Sequence, residues 1–205
     1  MTRAASNPTT SDGGKRWVPP QQGEWTIADY MRLVNPPRFY YEMIKGHIIM
    51  SPTPNLYHQR TLMALAVPMS TFVRSDRFGE VLIAPLDVEI DLGETQTIVE
   101  PDIIYVSNER REVLTSKHLR GAPDLLVEIV SPSSADRDRG DKLTLYMTNG
   151  VLEYWVVDPD VRTIEMWVMR EFGHVKKGEW VPGQTVESEV LKGFSVKVEE
   201  VCPAP

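Results

Sequence analysis

Two carboxylates in this chain sit where carboxylates are costly. Asp102 stands at the mouth of an apolar stretch, Glu100-Pro101-Asp102-Ile103-Ile104, and Glu128 lies inside another, Leu125-Leu126-Val127-Glu128-Ile129-Val130. A carboxylate withdrawn from water needs a partner, a metal ion or a sheet edge open to solvent. Side chains alternate across a strand, so Asp124, Leu126, Glu128 and Val130 share one face while Leu125, Val127 and Ile129 share the other. If the two stretches are neighbouring strands, Asp102 and Glu128 meet. Two such carboxylates, with a backbone carbonyl and waters, suit a hard octahedral ion, magnesium or manganese. That ion activates water and stabilises charge on a phosphate. The plainer alternatives are a strand-start residue after proline for Asp102 and an edge-strand charge for Glu128.

The elements that must position them can be read from period and punctuation. Residues 1–24 carry Gly, Pro and Ser clustering and read as a disordered arm; residues 25–205 read as one domain. Thr26 caps a short helix through Ala28, Tyr30, Met31 and Val34 that Pro36-Pro37 stops. Phe39 to Ser51 reads as a hairpin turning at Lys45-Gly46. Asn55 caps a helix from Leu56 to Arg77, bent at Pro68. Three strands follow, Val81–Ile90, Ile98–Val106 and Leu125–Val130, then a helix over Asp136–Thr148 that stops at Asn149-Gly150. Glu153–Val157 and Thr163–Arg170 are strands, with weaker strand signals at Lys176–Val181 and Phe194–Val198. The expected fold is α+β, with helices on a mixed central sheet and extra strands at both ends.

The Pro101-Asp102 strand, the later Glu128 strand and a following lysine resemble the PD-(D/E)XK nuclease superfamily, whose core runs helix, three strands, helix, strand. The string Gly121-Ala122-Pro123-Asp124-Leu125-Leu126-Val127-Glu128-Ile129-Val130-Ser131-Pro132 carries a closer likeness, together with Tyr41-Glu42, Gly46, Glu100-Pro101-Asp102, Lys142 to Tyr146 and Gly150 to Pro159. Over residues 25 to 170 the chain resembles a mostly uncharacterised bacterial family of "putative restriction endonucleases". The resemblance implies a DNA endonuclease in which Asp102, Glu128 and the Ile129 carbonyl hold Mg2+ or Mn2+. The superfamily's usual lysine position, two residues after the glutamate, is Val130 here. The likeness points instead to Lys142 on the next helix as the catalytic base partner that orients the attacking water; from composition alone it reads as a solvated first-turn lysine on the helix surface. Arg139, Lys142 and Tyr146 are expected on one helical face. His58, Glu42 and Tyr146 are further candidates to line the site, with capping and ion-pair roles as the alternatives for the first two; for Asp124 a turn or capping role is the plainer account.

Composition sets limits on these readings. Hydrophobic content of 41% and charged content of 25% are those of a folded globular chain. The longest apolar run, Leu62 to Met69, is far short of the roughly 20 residues of a membrane span. No leader pattern opens the chain, so the expected compartment is the cytoplasm. One cysteine, Cys202, excludes an internal disulfide and a thiolate metal site. A net charge of −7 disfavours broad adhesion to nucleic acid, and a local groove must supply any phosphate binding. No P-loop, HExxH or GxSxG pattern is present. Two other readings stand beside the nuclease: a nuclease fold that binds DNA without cutting it, and a protein-interaction domain. The latter would form a homodimer through its β-rich C-terminal part, with Trp155 and Trp167 at the contact.

Overall fold

A computed structural model describes residues 11–12, 15–33, 39–76, 78–90, 96–131 and 134–203. The first elements are a two-residue antiparallel pair, β1 (Ser11–Asp12) and β2 (Lys15–Arg16). Trp17 packs edge-on against Trp25, 5.9 Å between ring centroids. The Gln22 amide accepts from the Ile48 N–H at 2.8 Å and donates to its carbonyl at 3.3 Å. Trp17 and Gln22, expected in the disordered arm, are therefore held on the fold by an aromatic contact and a paired amide. Residues 1–10 lie outside the described residues.

Thr26 caps α1 (Ile27–Tyr30) in a reciprocal capping box with Asp29. The expected stop, Val34 and Pro36-Pro37, lies outside the described residues. β3 (Phe39–Ile44) and β4 (His47–Pro52) form the expected hairpin. Its turn residues Lys45 and Gly46 have φ of 50° and 72°, the left-handed pair that a two-residue turn demands. α2 (Leu56–Asp76) follows, with Asn55 Oδ1 accepting the His58 N–H at 2.8 Å as the N-cap bond and Pro68 inside the helix. Arg77, its expected end, lies outside the described residues.

The first two of the three expected strands each divide. Val81–Ile90 becomes β5 (Gly79–Ile83) and β6 (Val88–Ile90), and Ile98–Val106 becomes β7 (Thr97–Val99) and β8 (Ile103–Ser107). Proline is the reason. Pro85 and Pro101 lack the N–H that a ladder uses, so pairing stops there and the chain passes into a different sheet. A 3-10 turn at Asn108–Val113 precedes β9 (Leu119–Arg120) and β10 (Leu125–Ile129). The next helical segment joins α3 (Ala135–Arg137), a π-helical turn at Asp138–Lys142, and α4 (Leu143–Thr148). β11 (Glu153–Asp158), β12 (Thr163–Arg170), β13 (Gly173–Trp180), β14 (Thr185–Glu187), β15 (Ser195–Lys197) and α5 (Val198–Val201) complete the described chain.

The main sheet has six strands in the order β13-β12-β11-β10-β8-β5. Only the β10–β11 pair in it is parallel, so the sheet is mixed. In sequence, α2, β5, β8, β10, the α3–α4 segment and β11 run helix, three strands, helix, strand, the expected α+β core. A second sheet, β4-β3-β7-β6-β9, packs beside it. The alternation read for β10 holds. Leu125, Val127 and Ile129 join Leu62, Leu65 and Met69 of α2 in one core, while Leu126 and Val130 join Leu143 and Tyr146 in the other. Trp155 is fully buried in the first core and Trp167 packs half-buried against the second, so the aromatics expected at an interface are packing residues.

Candidate active site

Glu100-Pro101-Asp102 is the span in which the chain leaves one sheet at β7 and enters the other at β8. β8 pairs antiparallel with β10, Ile104 opposite Leu126 and Ile103 opposite Val127. One further step along that register sets Asp102 beside Glu128. Both carboxylates are nearly buried and both line one cavity of about 380 Å³. Val130 donates its N–H to Val157 on the β11 side at 2.9 Å. The backbone of Ile129 therefore points to the other edge of β10, where its N–H donates to Asp102 Oδ2 at 2.7 Å. Its carbonyl lies along that same edge.

His58, in the first turn of α2, brings Nε2 to 3.2 Å from Asp102. From the helical segment opposite, Lys142 Nζ donates to Glu128 Oε1 at 2.8 Å, and the Tyr146 hydroxyl donates to the same oxygen at 2.8 Å. Glu42 of β3 reaches across from the second sheet, its Oε1 2.7 Å from Lys142 Nζ. Its carboxylate also accepts the Glu100 N–H at 3.1 Å and lies 3.8 Å from Arg137. Asp138 adds a third carboxylate to the same ammonium at 3.7 Å. The structure thus gathers Asp102, Glu128, Ile129, Lys142, His58, Glu42 and Tyr146 in one place. Asp124 is elsewhere: it accepts the Ser107 N–H at 2.6 Å and faces Arg110, as its turn position suggested.

Two details depart from expectation. Arg139 does not share the face of Lys142 and Tyr146; it pairs with Glu165 at 2.6 Å and Asp158 at 3.0 Å. The π-helical turn widens the helix there and shifts the phase on which the α-helical spacing relied. Lys142 is also no surface residue, with 2% of its area exposed. Burial alone would lower its pKa, but Glu128, Glu42 and Asp138 outweigh that and hold it well above the usual lysine range. An amine kept protonated donates, so Lys142 is suited to fix Glu128 and supply positive charge and is unsuited to act as a base. Burial pushes the Glu128 carboxyl up, against the pull of Lys142, with Asp138, Asp102 and Glu42 adding to the rise.

Asp138, Arg137, Tyr40 and Glu100 also line the cavity. Asp138 had a readable signal, its four-residue spacing from Lys142, which allows an ion pair on a helix. Glu100 was hidden by its place beside the more conspicuous Pro101-Asp102. Burial, then Asp87 and Glu42, push its carboxyl up to about 7.

The donor set fits a hard divalent ion. Among the described residues both side-chain hydrogen bonds of Glu128 fall on Oε1, which leaves Oε2 without a protein donor. Asp102 takes the Ile129 N–H on Oδ2, and among the described residues Oδ1 meets only His58, whose Nε2 is 3.2 Å from both oxygens. Among the described residues no cluster of three or more His, Cys, Asp or Glu side chains is arranged for a metal. Two carboxylates and one carbonyl suit an ion such as magnesium that keeps several of its waters.

The model of a family described as "Uma2: Putative restriction endonuclease" matches residues 27–199. An uncharacterized protein from Synechocystis sp. is 25% identical over 134 residues, covering 65% of this chain and 74% of that protein. A crystal structure from Anabaena variabilis, described as a putative nuclease belonging to DUF820, superposes with a TM-score of 0.69 at 17% identity. The match covers 86% of this chain and 97% of that one, and it shows the shared fold. No helix among the described residues is long and apolar enough to cross a membrane.

Proposed function

The chain belongs to the Uma2 family, described as "Putative restriction endonuclease", and on that premise we propose that it is a Mg2+- or Mn2+-dependent endonuclease hydrolysing phosphodiester bonds in DNA. The observation that carries this reading is the opening of Asp102 and Glu128, from neighbouring strands, into one cavity beside the Ile129 backbone. These three residues would hold the ion. Bound there, the ion would supply Lewis acidity, a lowered pKa for a water and positive charge toward the phosphate. His58 fixes the orientation of Asp102, and Lys142 with Tyr146 fixes that of Glu128, as second-layer partners do at metal sites. The Lys142 ammonium adds a fixed positive charge without solvent to reorganise, which favours charge build-up on a scissile phosphate. A homodimer, which would bring one such site to each strand of a duplex, belongs to the same reading and is measurable by sedimentation.

The test is plasmid nicking in Mg2+ and Mn2+ by the parent, Asp102→Asn and Glu128→Gln. Divalent-dependent cleavage by the parent and at least about a hundredfold loss in both variants supports the proposal. A second reading, a nuclease fold that binds DNA without cutting, draws on the engagement of Lys142 by three carboxylates. DNA binding by a parent that cuts in no divalent metal, with no heat of Mn2+ binding by calorimetry, favours this second reading.

A further inference from the structure

A second hollow of about 270 Å³ adjoins the cavity and shares Tyr40, Thr53, Pro54, Glu100 and Asp102 with it. Its remaining wall is mostly apolar, formed by Leu62, Ala84 and Pro85, with the Gln59 side chain at the rim. The size matters, because a drug-sized molecule needs roughly 300–1,000 Å³. This hollow takes a single flat ring. Tyr40 supplies an aromatic wall between the two spaces, Pro54 and Pro85 supply rigid apolar surfaces, and the Gln59 amide offers a donor and an acceptor to a ring edge.

The charges of the main cavity point the same way. Its three cationic or ionisable basic residues already face carboxylates: His58 faces Asp102, Arg137 faces Glu42, and Lys142 faces Glu42, Glu128 and Asp138. Duplex binding rests chiefly on cations that neutralise many phosphates. Here such cations are engaged internally, and the chain carries a net charge of −7. Among the described residues the cavity lining thus offers no cation without a carboxylate partner, and stacking of an exposed base on an aromatic face is another source of affinity that nucleic-acid sites use.

Resting on the nuclease reading, we propose that the hollow beside Asp102 receives one unpaired nucleobase, stacked against Tyr40, so that the preferred substrate carries a single-stranded or extruded nucleotide next to the scissile phosphate. A base held in the stack of an intact helix cannot enter a recess of this size. A nucleotide already outside the stack enters without the cost of unpairing.

The test is a single-stranded DNA octamer with one 2-aminopurine, whose fluorescence is quenched by stacking, titrated with the full chain in calcium. Matched duplex of the same sequence is the competitor. The parent is expected to quench the probe and to bind the single strand at least tenfold tighter than the duplex. Tyr40→Leu is expected to abolish the quench and weaken binding by roughly tenfold, the scale of one lost base–aromatic stack. Ala84→Leu, which fills the hollow and leaves Tyr40 in place, gives the same loss by an independent route, with thermal melting as the control for folding. Equal affinity for duplex and single strand, or unchanged quenching in a folded variant of either kind, overturns the proposal. Cleavage in Mn2+ is scored separately. A chain that stacks the probe but cuts nothing loses the nuclease reading and keeps this one, and a chain that cuts duplex indifferently to both variants does the reverse.

Discussion

Removing the Lys142 amine tests the centre of the site through stability alone. In Lys142→Ala the carboxylates of Glu42, Glu128 and Asp138, which face Nζ at 2.7, 2.8 and 3.7 Å, lose their shared cation. Among the described residues, Arg137, 3.8 Å from Glu42, is the cation that remains beside them. Breaking a buried pair by removing one partner costs about 3–5 kcal/mol, because the other charge stays buried. For a chain of this size each kcal/mol moves the melting temperature by about 2–4 °C, so a fall of roughly 6–20 °C is expected at pH 8. A solvated surface lysine would contribute about 0–1 kcal/mol and shift melting by a few degrees at most. Acid should narrow the deficit. Burial already pushes the Glu128 and Asp138 carboxyls up, and without the ammonium they rise further. The folded variant then holds protons that its unfolded chain has released, and its stability falls as pH climbs from the ordinary carboxylate range through the raised folded values. Melting at pH 5 and pH 8, with the double variant Lys142→Ala/Glu128→Gln recovering part of the loss, reads all of this. A single variant that melts within about 4 °C of the parent at pH 8 would falsify the buried ion cluster.

Three further outcomes follow from named contacts. His58→Ala should weaken Mn2+ binding by roughly 10–100-fold while leaving melting within a few degrees, since the Nε2 contact orients Asp102; unchanged calorimetric affinity would remove that role. Glu100→Gln should flatten the pH dependence of stability between about 4.5 and 7. The parent carboxyl, raised to about 7 by burial, stabilises most when protonated and loses that contribution as pH rises through the folded value; urea midpoints that keep the parent's slope would count against it. Glu153→Ala should lower stability by roughly 2–4 kcal/mol without altering Mn2+ affinity. Its carboxylate accepts from Trp155 Nε1, Ser188 Oγ and the Glu189 and Val190 N–H groups at 2.6–2.9 Å, a set that includes neither Asp102 nor Glu128. A melt unchanged by that substitution would show the four bonds to be worthless.

The legible parts of the sequence were those where one local rule decides. Alternation across Leu125 to Ile129 assigned both faces correctly because a strand has only two. Lys45-Gly46 placed a turn because few residue pairs tolerate positive φ twice. The extent of β5 to β8 was misread, because the β-branched and apolar residues on both sides of Pro85 and Pro101 outweighed the one sign of a break, the prolines themselves. Nor was the burial of Lys142. A lysine in a polar stretch such as Asp136-Arg137-Asp138-Arg139-Gly140-Asp141-Lys142 reads as solvated, and what buries it is Glu42, one hundred residues earlier on another sheet.

That long-range pairing explains why the site lies where it does. A strand that stays in one sheet buries its side chains against a neighbouring layer, which leaves no room for an open cavity. At Glu100-Pro101-Asp102 the proline ends one ladder before the next begins, which leaves a gap between the two in which the Asp102 carbonyl accepts the Ala84 N–H at 3.2 Å. Glu100 and Asp102 fall in that gap, and each donates or accepts across it: the Glu100 N–H to Glu42 of the second sheet, and Asp102 Oδ2 from Ile129 of the first. Lys142 closes the junction by holding Glu42 and Glu128, one carboxylate from each sheet. The same cation that steadies Glu128 therefore also ties the two sheets together. Its removal is expected to loosen the cavity walls as well as the carboxylate, so activity and stability should fall together in Lys142→Ala but separate in Asp102→Asn.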